Sequence, residues 1–384
     1  MRMEKVDKRK IVMVKFYSIS KGRLLKMDLA AKLLSSGLSS WLLVLISVGL
    51  LGVGFVLLVK GADWFVDGAA GIAEKLRVPS LIVGLTIVSF GTSAPELATS
   101  IISASQGSAD MAIGNVVGSN ITNILLILGL AAVICPLVVQ KNTLRIDFPV
   151  ILGASVLLLL LGGLDNEIGR IDGTVMFLLS MAYMVFLVVY AVRESKKSPT
   201  MSALTTNEGL IEPICESQSE GKKGFSAWME KMCAHTWFLI ILTIVGLLFV
   251  VAGALFGVIP GATVVATKIG ISEKVIGLTV VAIGTSLPEL VTCVIAAKKG
   301  ETDIAVGDIV GSNIFNVIRT LGICAMIMPL PFAKSFWVDG TIALGAAVAL
   351  AVFGYCKGHK VRRFAGVLML CAFAAYYVYL FAFA

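Results

Sequence analysis

The stretch from Gly84 to Gly129 recurs 193 residues later as Gly277 to Gly322, without a gap and with 25 of its 46 positions identical. Both copies must therefore find equivalent surroundings in the fold. Each holds a carboxylate in a helix-breaking run, Gly91-Thr92-Ser93-Ala94-Pro95-Glu96 in the first and Gly284-Thr285-Ser286-Leu287-Pro288-Glu289 in the second. Each then reaches a Gly-Ser-Asn-Ile-x-Asn run, at Gly118 to Asn123 and Gly311 to Asn316. Proline lacks an N–H and collides with the carbonyl four residues earlier, so Pro95 and Pro288 predict a kink or break. Gly91 and Gly284 supply those carbonyls and ease the distortion.

The surroundings are apolar. Hydrophobic residues make up 58% of the chain and charged ones 15%, against roughly half and a quarter in soluble domains. Runs near the ~20 residues that span a bilayer occur at 41–60, 80–105, 111–134, 148–164, 172–192, 236–258, 275–297, 304–328, 336–353 and 364–383. Only helices and closed barrels cross hydrocarbon, and these runs are too long and too uniformly apolar for barrel strands. The expected fold is an all-α polytopic membrane protein with ten transmembrane helices. Five spans separate the two copies. An odd number of crossings puts them in opposite orientations, giving two inverted five-helix repeats, 41–193 and 235–384, joined by a cytoplasmic linker at 194–234. That linker mixes Ser, Thr, Glu and Lys with few large apolar residues and reads as flexible.

Charge places the linker. With the first span entering from outside, the inner connections carry sixteen Lys and Arg and the outer ones only Arg170, Lys268, Lys274 and Lys334. That asymmetry supports a cytoplasmic linker. The basic tail 1–40 opposes it, with ten Lys and Arg that would lie outside. A start at Met27 would remove most of them. No signal peptide is evident, since the run at Trp41 is long enough to span and lacks a small-residue cleavage site.

Seven scattered cysteines (Cys135, Cys215, Cys233, Cys293, Cys324, Cys356 and Cys371) form no Cys-x-x-Cys pair, so they read as buried small apolar residues rather than disulfides or zinc ligands. His235 and His359 are the only histidines and flank apolar runs. An intramembrane histidine cluster is excluded. Glu208, Glu212, Glu216 and Glu220 read as a solvated face, Asp110 and Asp303 as helix caps or membrane-edge charges, and Asp63 and Asp67 as lying near the end of the first span. A Walker phosphate loop is lacking, and no segment is large enough for a nucleotide domain, which disfavours an ATP-driven pump. Nucleic acid is not an expected partner, and neither enzymatic chemistry nor a cofactor is indicated.

What remains is the duplicated motif. An ionised carboxylate in lipid costs at least several kcal/mol, so two at repeat-related positions, Glu96 and Glu289, point to a cation site at the bilayer midplane. Thr92, Ser93, Thr285 and Ser286 add hydroxyl oxygens, with Thr92 and Thr285 one turn before the glutamates on the same face. Ser119 with Asn123, and Ser312 with Asn316, pair in the same way. Hard cations such as Ca²⁺ take six to eight oxygens, and two carboxylates balance one Ca²⁺ or two Na⁺. Gly114-x-x-x-Gly118 and Gly307-x-x-x-Gly311 read as close-packing patches.

These paired runs closely resemble the two α-repeats of the sodium/calcium exchanger family within the Ca²⁺:cation antiporters. The resemblance implies an outward-facing N-terminus, ten helices, a cytoplasmic loop after the fifth and a central diamond of ion sites. It assigns Glu96 and Glu289 to bind Ca²⁺ and Na⁺ alternately, with oxygens from Thr92, Ser93, Thr285, Ser286, Ser119 and Ser312 and backbone carbonyls from Ser89 and Ala282. Two departures stand out. Many relatives carry an aspartate where this chain has Asn316, which leaves two carboxylates and argues against K⁺ co-transport. Arg319 replaces Leu126 of the first copy; it reads more readily as snorkelling or pairing away from the site than as a tethered cation reaching toward it. The expected function is Na⁺/Ca²⁺ antiport by alternating access with Ca²⁺ extrusion, by a monomer or weak oligomer in a prokaryotic inner membrane. H⁺/Ca²⁺ exchange through the same glutamates and a passive cation channel are the alternatives.

Overall fold

The computed structural model describes residues 33–34, 36, 39–76, 78–105, 107–197, 235–269, 282–356 and 358–383. Most of the tail 1–40 and of the linker 194–234 lies outside the described residues, as does the expectation of a start at Met27. The described chain is helical apart from two short strand pairings and the turns that connect the helices. Its helices are α1 (Ser40–Leu76), α2 (Ser80–Thr92), α3 (Ala94–Ser105), α4 (Ala109–Ile134), α5 (Thr143–Leu164), α6 (Arg170–Lys197) and α7 (Thr236–Val265). The second half continues with α8 (Ala282–Thr285), α9 (Leu287–Lys298), α10 (Thr302–Ile327), α11 (Lys334–Tyr355) and α12 (Arg363–Phe383).

Eight helices among the described residues are long and apolar enough to cross a bilayer. The pair α2 and α3, bent by 47° at Ser93, passes the same test when taken together and would make a ninth as one broken span. The expected span 275–297 is described only from residue 282, in α8 and α9. The 37 residues of α1 extend for roughly 55 Å, beyond a hydrocarbon core of about 30 Å. Its far half carries Asp63 and Asp67, which are not left at a bare helix end. Both pair with Lys299, at 2.7 and 2.6 Å.

Burial sorts the helices. In α10, 89% of the apolar window is buried and in α4 72%, whereas α1, α6 and α12 bury 22% each. The outer helices turn Val53, Val56, Leu178, Val185 and Val367 outward, the pattern expected where lipid is the solvent. The two central helices are those that carry the Gly-Ser-Asn-Ile-x-Asn runs. Helices α2 and α10 approach closely because Gly307 has no side chain: a Cβ there would lie 2.6 Å from the Leu81 carbonyl oxygen and 3.0 Å from Gly84 Cα. Gly54 and Gly246 do the same between α1 and α7. The cysteine expectation holds only in part: Cys293 and Cys324 are buried, while Cys356 and Cys371 are exposed.

Two strand pairings tie the halves together. Strand β1 (Leu137–Val138) pairs antiparallel with β4 (Lys360–Val361), and β2 (Glu167–Ile168) with β3 (Leu330–Pro331). Strand β3 stands 193 residues after β1, and β4 193 after β2. The repeat offset therefore converts the Leu137–Val361 partnership into Ile168–Leu330.

Candidate cation site

Both motif copies break their helix at the serine. Ser93 has φ −80° and ψ 6°, and Ser286 φ −88° and ψ 7°, so neither continues the helix. Pro95 and Pro288 follow two residues later in the first turn of α3 and α9, where a missing N–H costs no hydrogen bond. Each break turns the next segment so that its glutamate, in the first turn, points into the protein. Glu96 and Glu289 are both buried.

The two copies then exchange hydrogen bonds. Ser93 Oγ donates to Glu289 Oε1 at 3.0 Å, and Ser286 Oγ donates to Glu96 Oε1 at 3.1 Å. The serine of each half thus holds the glutamate of the other. Ser93 Oγ also lies 2.8 Å from Ser312 Oγ on α10. Thr92 Oγ1 sits 3.1 Å from the Val88 carbonyl and 2.9 Å from Asp308 Oδ1. Ser93, Ser286, Ser312, Thr92 and both glutamates thus form one buried polar centre between the halves. Thr285 is buried beside them.

The remaining candidates line this core without bonding to the glutamates. Asn316 Nδ2 donates to Asn120 Oδ1 at 3.2 Å, and Asn120 Nδ2 to the Asn313 carbonyl at 3.2 Å. Asn123 is buried with neither amide atom paired among the described residues, and Ser119 is buried one turn before it. Asn123 and Asn316 both fall in π-helical turns, Thr122–Leu128 and Asn316–Leu321, a local widening frequent at functional sites. The Ser89 carbonyl accepts the Ser93 N–H at 3.2 Å, which leaves its second lone pair. Ala282 stands at the equivalent place of the second copy, in α8.

The centre is rich in acceptors that lack donors. Glu96 Oε2, Glu289 Oε2, Asp308 Oδ2 and Asn316 Oδ1 are buried without a hydrogen-bond partner among the described residues. Such groups normally find partners, since each costs about 1–3 kcal/mol if left unpaired. Oxygen acceptors of this kind suit a hard cation. Among the described residues no three His, Cys, Asp or Glu side chains stand at metal-binding spacing. A cation here would therefore take hydroxyl, amide and carbonyl oxygens along with carboxylates.

Comparison with known proteins agrees with this chemistry. The sequence profile described as "Sodium/calcium exchanger protein" matches residues 19–189 and 238–382, most of the chain. The chain belongs to the sodium/calcium exchanger family. It is similar to the putative antiporter CaxA of Alkalimonas amylolytica, at 37% identity over 86% of this chain and 97% of that protein. The inner membrane protein YrbG of Escherichia coli is 36% identical over 88% of this chain and 98% of its own length. A solved structure of the sodium-calcium exchanger NCX_Mj, soaked with Na⁺ and Ca²⁺, superposes with TM-score 0.70. It is 31% identical, over 86% of this chain and 97% of that one. The chain is accordingly an integral, multi-pass membrane protein and a Ca²⁺/cation antiporter by family.

Two further features of this centre concern charge. The sequence reading counted two carboxylates, but a third, Asp308, is fully buried in the same centre. The aligned copies hold its signal, because Asn115 of the first repeat becomes Asp308 in the second, one turn before Ser312. The second feature is Arg319, whose guanidinium is buried and makes no hydrogen bond or ion pair among the described residues. It stacks instead on two rings, 4.3 Å from the centroid of Phe90 and 4.7 Å from that of Phe315. Cation–π contacts contribute up to about 2 kcal/mol when desolvated, similar to the ~2.5–3.5 kcal/mol cost of an arginine at a helix centre.

Proposed function

We propose that this chain exchanges Na⁺ for Ca²⁺ by alternating access and extrudes Ca²⁺ across a prokaryotic inner membrane. The observation that carries the reading is the reciprocal pair of hydrogen bonds, Ser93 to Glu289 and Ser286 to Glu96. It makes one centre out of two half-sites. Ten spans in two inverted repeats are part of the proposal, and the strand pairings that interchange under the 193-residue offset support it. Glu96 and Glu289 supply the charge. Thr92, Ser93, Thr285, Ser286, Ser119, Asn123, Ser312, Asn316 and the carbonyls of Ser89 and Ala282 supply neutral oxygens. Na⁺ is favoured as the counter-ion because neutral hydroxyl and amide oxygens suit it. YrbG, named as an inner membrane protein, supports the location.

Purified protein reconstituted into liposomes tests the coupling. An outward Na⁺ gradient is expected to drive ⁴⁵Ca²⁺ uptake, while pH or K⁺ gradients of equal size drive none. Uptake driven by pH alone would make the chain an H⁺/Ca²⁺ exchanger. Saturable uptake that needs no counter-ion would make it a channel or uniporter.

Arg319 gives a second test. Because its guanidinium rests on rings rather than carboxylates, Arg319→Leu is expected to leave the Na⁺ KM and turnover within about twofold of wild type. Its thermal stability should be maintained or raised, since an unpaired buried charge is removed. A tenfold gain in Na⁺ affinity would mark Arg319 as a tethered cation instead.

A further inference from the structure

We propose that Asp308 is a third anionic wall of the cation site and sets its preference for divalent over monovalent ions; this rests on the site reading above. The comparison that leads here is internal to the molecule. In the first repeat Asn115 Nδ2 donates to Ser100 Oγ at 2.9 Å and to the Glu96 carbonyl at 3.3 Å. That is a neutral brace between α3 and α4. The second repeat has dismantled it. Ser100 is replaced by Cys293, whose thiol turns to the Ala305 carbonyl at 3.8 Å, and Asn115 by Asp308, which has no proton donor to offer in its ionised form.

Asp308 faces the other way, across the interface. Its Oδ1 lies 2.9 Å from Thr92 Oγ1 of the first repeat, and its Oδ2 is buried with no partner among the described residues. It lies within Coulombic reach of both Glu289 and Glu96. A purely structural buried aspartate would be expected to satisfy both oxygens. This one bonds to two hydroxyls of the site itself, Thr92 across the interface and Ser312 on its own helix, and leaves an oxygen over. Along α10 it heads the row Asp308, Ser312, Asn316, spaced four apart on one face. A fixed charge attracts an ion in proportion to that ion's own charge, so a third carboxylate strengthens Ca²⁺ binding more than Na⁺ binding.

That proportionality gives the test a sharp form. ⁴⁵Ca²⁺ binding and its displacement by Na⁺ are measured on the purified full-length chain, as wild type, Asp308→Asn, Asp308→Glu and Glu96→Gln. If Asp308→Asn raises the Ca²⁺ Kd about tenfold, the Na⁺ constant should rise only about threefold, the square root, because the electrostatic energy halves with the charge. Asp308→Glu, which keeps the charge, should stay near the wild-type ratio. An unchanged Ca²⁺ Kd in Asp308→Asn, or equal weakening of both ions, would overturn the inference. Should Asp308→Asn not fold, Asp308→Ser serves as the neutral variant, and failure of both while Asp308→Glu folds would mark a structural role and also overturn it. Ca²⁺ binding that is missing in wild type or intact in Glu96→Gln would instead sink the underlying site.

Discussion

Glu289→Gln is expected to reduce Na⁺-driven ⁴⁵Ca²⁺ flux to background, and Glu96→Gln to do the same. The substitution keeps the side chain's shape and one acceptor oxygen, so Ser93 can still donate to residue 289 and Ser286 to residue 96. What it removes is charge. A carboxylate about 4 Å from a divalent ion contributes roughly 8 kcal/mol at an effective dielectric near 20. If desolvation left only a quarter of this, about 2 kcal/mol, affinity would still fall roughly thirtyfold. The flux assay in liposomes reads it directly, and Gln variants that retain flux would show that these glutamates are structural.

The second large effect lies in packing. A Cβ on Gly311 would stand 2.7 Å from Ser89 Oγ and 2.8 Å from the Leu85 carbonyl oxygen. Gly311→Val must therefore push α10 away from α2, at about 1–3 kcal/mol for overpacking. The loss in transport should exceed the loss in stability, because Ser312 and Ser89 sit at the point of separation. We expect a lowered Tm in detergent and at least a tenfold drop in flux. Gly345→Ala is the control: that glycine is exposed and has nothing within 4 Å of the added carbon. Wild-type flux and Tm in Gly311→Val would refute the close approach of α2 and α10.

The helices and their breaks were legible because they follow from local chemistry. Length and apolarity pointed to eight helices that are long and apolar enough to span, though the first runs well past its expected end at residue 60. Pro95 and Pro288 marked the breaks, which fall two residues earlier at Ser93 and Ser286. The two glutamates were legible because a duplicated intramembrane carboxylate is costly. Partnerships across the interface were not. Nothing local says that Ser93 meets Glu289 rather than its own Glu96, since that depends on how the halves face each other. Asp308 was missed for a related reason: inside an aligned pair, Asn against Asp reads as a minor change until burial makes it a third charge. Asp63 and Asp67 likewise acquired meaning only when α1 proved long enough to bring them to Lys299. The π-helical turns at Asn123 and Asn316 leave no mark in hydropathy at all.

The central claim is that Glu96 and Glu289 serve one shared centre rather than one site in each half. Equilibrium ⁴⁵Ca²⁺ binding capacity, measured on Glu96→Gln, Glu289→Gln and the double variant, tests it most directly. A shared centre predicts that each single substitution removes high-affinity binding as completely as the double one. Single variants that each keep half of the wild-type capacity would contradict it.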